Sequence, residues 1–115
     1  VTPSKQEVVF NKVSEHLMTQ KRKATGGNGC AYRGVDGTKC AIGCLIPDAI
    51  YSPSMEGYGV RGLLTLYPQL FELFGDPTLL KHLQFVHDLL PVEDWKGALS
   101  GLAIAHGISR PPCLE

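Results

Sequence analysis

Cys30-Ala-Tyr32-Arg33-Gly34-Val35-Asp36-Gly37-Thr38-Lys39-Cys40-Ala-Ile42-Gly43-Cys44-Leu-Ile46-Pro47-Asp48 is the stretch on which the fold turns. Two short runs, Cys30 to Arg33 and Thr38 to Ile42, flank Gly34-Val35-Asp36-Gly37. That spacing predicts a β-hairpin over 28–46, with a three-residue loop Val35-Asp36-Gly37 in which Gly37 takes the left-handed position. Tyr32 would face Cys40, and Cys30 would face Ile42. Two-residue alternation then places Cys30, Tyr32, Cys40, Ile42, Cys44 and Ile46 on one face. Arg33 and Lys39 meet on the other face, an unfavourable pairing unless an anion or a carboxylate lies between them.

On the N-terminal side, 2–20 reads as an amphipathic helix. Thr2 or Ser4 can cap it, and Val9, Phe10, Val13 and Leu17 share one face. The basic run Lys21-Arg22-Lys23 follows where cations suit the helix dipole. Gly26-Gly27-Asn28-Gly29 is a plain linker, because no Lys-Ser/Thr follows to make a phosphate loop. On the other side, 47–59 is irregular and 60–107 is helical, interrupted at Pro68, Gly75 and Pro91. Pro68 either kinks its helix or starts a second one. Asp76-Pro77 opens the next helix, with Leu79, Leu83, Val86 and Leu90 in one stripe. Trp95, Leu99, Leu102 and His106 line the last helix, Gly107 caps it, and 108–115 is a tail. The expected class is α+β: one mostly helical domain over 1–115, with an N-terminal helix, one β-hairpin and three or four further helices.

Composition agrees with a single domain. The chain has 115 residues, 43% hydrophobic and 19% charged, too apolar for a disordered segment. No apolar run approaches the roughly 20 residues of a membrane span, so no membrane partner is expected. The formal net charge of zero argues against a general nucleic-acid coat. That zero is nevertheless a split. Lys5, Lys12, Lys21, Arg22, Lys23, Arg33 and Lys39 outweigh Glu7, Glu15 and Asp36 in residues 1–40, and acids prevail thereafter. If the halves keep to separate faces, a basic side built from the end of the first helix and the hairpin is expected. Four cysteines are too few for a disulfide scaffold, and Val1-Thr-Pro-Ser-Lys lacks the pattern of a secretory signal. Reduced thiols in a cytoplasmic protein are expected.

Three kinds of chemistry are candidates. Cys30, Cys40 and Cys44 could hold zinc only if 41–43 bends, because in an extended strand Cys40 and Cys44 stand about 13 Å apart. Small buried thiols are the plainer reading, so no cofactor is favoured. Cys40 with His87 and Asp88 could form a nucleophile and base, should the fold bring them together. His82 and His87 are five apart and share no helix face. Lys21, Arg22, Lys23, Arg33 and Lys39 could contact a nucleotide or nucleic acid. Glu56 is the one acid of the irregular loop without an evident local job. Against catalysis stands a binding surface formed by Tyr32, Arg33, Lys39, Tyr51, Met55 and Tyr58, residue types favoured at interfaces.

Cys30-Ala-Tyr-Arg33, the run Gly37-Thr-Lys-Cys40-Ala-Ile-Gly43-Cys-Leu-Ile-Pro-Asp48, Tyr51 and Met55-Glu-Gly57 together resemble small uncharacterised phage and prophage proteins. Leu83-Gln84, His87-Asp88 and the Trp95 helix extend the resemblance over 28–106. It implies a phage accessory product acting in the host cytoplasm, and no particular activity. Small size, few polar constellations and a loop-rich middle suit a module that binds a host protein to inhibit or redirect it. A small cysteine-dependent enzyme and an anion-binding protein are the alternatives.

Overall fold

A computed structural model describes residues 4–26, 29–75 and 77–115, with backbone alone at 26, 29 and 30. The chain order is α1 (Lys5–Gln20), α2 (Val60–Leu66), α3 (Pro68–Phe74), α4 (Pro77–Leu89) and α5 (Trp95–Ala105), with short 3-10 turns between them. Helix α1 starts where the Ser4 hydroxyl accepts the Glu7 N–H. It ends at Lys21, whose left-handed backbone (φ 50°) lets its N–H reach the Leu17 carbonyl. The alternative cap Thr2 lies outside the described residues. Val9, Phe10, Val13 and Leu17 are buried as their spacing requires, and α1 packs against α3, α4 and α5. It is the axis of the molecule.

Pro68 starts a separate helix, since its missing N–H is harmless at a first-turn position. Asp76, the expected opener of α4, lies outside the described residues. Helix α4 buries Leu79, Leu80, Leu83, Val86 and His87, while α5 buries Trp95, Leu99 and Ala103. The expected face of α5 is thus rotated: Leu102 and His106 are half-buried at its margin. Gly107, at φ 66°, supplies the left-handed residue that ends it.

The α+β class does not survive. The expected hairpin over 28–46 is not formed among the described residues, whose regular structure is helical apart from a two-residue ladder and one bridge. The ladder pairs Thr25 with Cys30 and Gly26 with Gly29, and the bridge joins Arg33 to Lys39. Beyond the bridge the chain coils instead of extending. The Cys44 N–H bonds to the Cys40 carbonyl at 3.1 Å, Leu45 to Ile42 at 2.9 Å and Ile46 to Gly43 at 3.2 Å. Burial explains why. Cys40, Ala41, Ile42 and Gly43 are buried in succession, whereas a hairpin strand would turn alternate residues to solvent. The local apolar pattern fits a tight turn driven into the core as well as it fits a strand. The core chose the turn.

Candidate functional site

A cleft of about 280 Å³ opens between this turn, the loop before α2 and the C-terminal half of α4. Tyr32, Cys40, Glu56, Tyr58, Gln84 and Asp88 line it. Each wall is held by side chains that bond to backbone. Gln84 on α4 accepts the Ile42 N–H at 3.2 Å and donates to Asp88 Oδ1 at 2.6 Å. One residue therefore fixes the turn and the carboxylate together. Glu56 does the same opposite. Its Oε1 accepts the Tyr32 N–H at 2.8 Å, while Oε2 accepts the Arg33 N–H at 3.1 Å and the Tyr51 hydroxyl at 2.6 Å. The Tyr32 hydroxyl donates to the Tyr58 carbonyl, closing the loop onto the turn. Glu56 thus acquires the local job its sequence context lacked.

Cys40 sits in the cleft wall with its sulfur accepting the Gly43 N–H at 3.2 Å. Burial pushes its thiol up to about 12, against weaker opposing help from the Gly43 and Ile42 amides. At neutral pH it is a thiol, not a thiolate. His87 does not serve it. The Ala24 N–H donates to His87 Nε2 at 3.0 Å, so the ring proton sits on Nδ1 and is donated to Asp88 Oδ1 at 2.7 Å. Both nitrogens are committed, and the ring stacks on Trp95 at 5.6 Å. His87-Asp88 fastens the segment after α1 onto α4. The nucleophile–base pair Cys40 and His87 is not assembled.

The remaining sequence candidates divide. Met55 is buried in the core, and Tyr32, also buried, contributes a wall of the cleft and not an exposed anchor. Arg33 and Lys39 do face each other, and the carboxylate their pairing called for is Asp48, 2.6 Å from Arg33 and 3.9 Å from Lys39. Arg33 also lies over the Tyr51 ring at 4.2 Å. Tyr58 remains open at the cleft rim, 47% exposed. Of the basic run, Arg22 reaches Asp36 at 3.4 Å and Lys23 donates to the Asp88 carbonyl at 3.2 Å. Lys21 is exposed. Arg33 and Lys39 share Asp48, Arg22 and Lys23 are engaged elsewhere, and the five cations are not gathered on one partner.

For zinc, the bend that Cys40 and Cys44 needed is present. The Cys44 thiol nevertheless donates to the Ala41 carbonyl at 3.0 Å, and burial pushes it up to about 12. The Cys30 side chain lies outside the described residues. No group of three or more His, Cys, Asp or Glu placed to hold a metal occurs among the described residues. Gln84 is the site residue that sequence reasoning missed as such. Its only signal was a polar residue next to Leu83 on an otherwise apolar stripe.

No protein-family model matches the chain, and neither a curated protein nor a solved structure does.

Proposed function

We propose that the protein is a small phage-type accessory protein that binds a host protein in the host cytoplasm through the Cys40–Asp88 cleft, modulating or inhibiting it without catalysis of its own. One observation carries the reading: the cleft is open, yet its reactive groups are already spent on internal hydrogen bonds. Cys40 is protonated, both His87 nitrogens are engaged, and Glu56 holds three donors. Such a cleft offers shape and fixed charge rather than a nucleophile. Among the described residues two carboxylates and no Lys or Arg side chain line it, with Tyr58 exposed at its rim. A basic side chain of the partner, set between Asp88 and the Tyr58 ring, is the complementary guest.

Capture from a nuclease-treated bacterial lysate tests this. The intact chain should retain one stoichiometric protein, and both Asp88→Asn and Tyr58→Ala should lower its recovery tenfold or more. Asp88→Asn keeps an acceptor for Gln84 and His87 while removing the charge. Equal recovery by all three forms, or no stoichiometric protein at all, would sink the proposal. The cysteine-enzyme alternative keeps one observation in its favour, the place of the Cys40 sulfur in the cleft wall.

A further inference from the structure

His82 projects from α4 and His106 stands at the C-terminal cap of α5, away from the cleft and unused by it. Their separation of 24 in sequence hid the pair, and the packing of α4 on α5 creates it. Nδ1 of His82 lies 3.3 Å from Nε2 of His106, with the rings edge-to-face at 5.5 Å between centroids. Zn–N bonds of about 2.0–2.1 Å at a tetrahedral angle put two nitrogen ligands about 3.3–3.4 Å apart. The two nitrogens already span one edge of that tetrahedron. The contact also has the geometry of a hydrogen bond between the rings, which a bound ion would replace.

The supports are rigid. His82 lies inside α4, and the His106 N–H bonds to the Leu102 carbonyl at 2.9 Å. The His106 carbonyl in turn accepts from Gln6 Nε2 at 3.0 Å, tying the cap to α1. Two ligands mounted on packed helices, one within α4 and one at the cap of α5, lose little freedom when an ion joins them. His82 is exposed and His106 half-buried, so water can complete the coordination sphere.

We propose that His82 and His106 form a two-histidine site for a divalent transition metal that favours imidazole, namely zinc, nickel or copper, with water in the remaining positions. The site is independent of the cleft and of the partner reading. Isothermal titration of zinc chloride into the full chain tests it, with His82→Ala, His106→Ala and Cys113→Ser titrated alongside. One ion per chain is expected, bound at least tenfold more weakly by each histidine variant and unchanged by Cys113→Ser. Circular dichroism melts identify any variant that loses its fold, and His82→Gln then replaces it. No binding up to millimolar zinc, equal binding by the histidine variants, or loss confined to Cys113→Ser would each overturn the proposal.

Discussion

Gly43 carries the most severe steric demand among the described glycines. A Cβ there would lie 1.8 Å from the Tyr32 carbonyl oxygen, a backbone atom that cannot step aside. Gly43→Ala should therefore cost about 3 kcal/mol or more in chemical denaturation. Gly59→Ala, where no atom lies within 4 Å, should move the midpoint little. Glu56 is next in consequence. Glu56→Ala strands two backbone N–H groups and the Tyr51 hydroxyl, an expected loss of about 2–4 kcal/mol by urea titration. Ser14 runs the other way. Its hydroxyl is fully buried in α1 with no hydrogen-bond partner among the described residues, so Ser14→Ala should stabilise by about 1 kcal/mol.

At the scale of elements, α1 does more than fill the core. Gln20 in its last turn both accepts the Lys39 N–H at 2.9 Å and donates to the Lys39 carbonyl at 2.9 Å, pairing with that peptide as a strand would. His16, one turn earlier, donates through Nε2 to the same carbonyl at 2.7 Å. Desolvation lowers the His16 pKa, with the Lys39 charge acting the same way and the hydrogen bond to the Lys39 carbonyl opposing. The unfolded chain therefore takes up this proton first as pH falls below about 6.5, and stability declines with it. His16→Gln, which keeps a donor, should flatten the fall in melting temperature between pH 6.5 and 5.5. An unchanged slope would show that His16 is not its source.

These side-chain clamps explain what the sequence could and could not reveal. The face of α1 was legible because a period of 3.6 residues marks it directly, whereas Pro68 marked an interruption without deciding between a kink and a new helix. The demand for a carboxylate between Arg33 and Lys39 was legible too, and Asp48 meets it. The hairpin misled because strand pairing and burial of a tight turn both ask for small and apolar residues over 40–46. Gln20 and Gln84, which supply the bonds that a second strand would have made, sit on distant helices with no local mark.

Across the whole molecule, several charges of the split sequence act as clamps between elements. Arg33 and Lys39 are drawn to Asp48, and Lys23 to the end of α4. Among the described residues no helix is long and apolar enough to cross a membrane. The burial that holds these elements together also silences the thiols. With burial pushing the Cys40 and Cys44 thiols up, iodoacetamide at pH 8 should modify both at least about tenfold more slowly in the native chain than in denaturant. Mass mapping of the alkylated peptides reads this out, and rapid native labelling of Cys40 would refute it.

Binding without catalysis is tested most directly by the affinity of Cys40→Ser for the captured partner. Serine keeps an acceptor for the Gly43 N–H and removes the thiol. The expected result is a dissociation constant within about threefold of the parent chain. Loss of function in Cys40→Ser, together with a covalent Cys40–partner adduct recovered from the parent chain, would contradict the account.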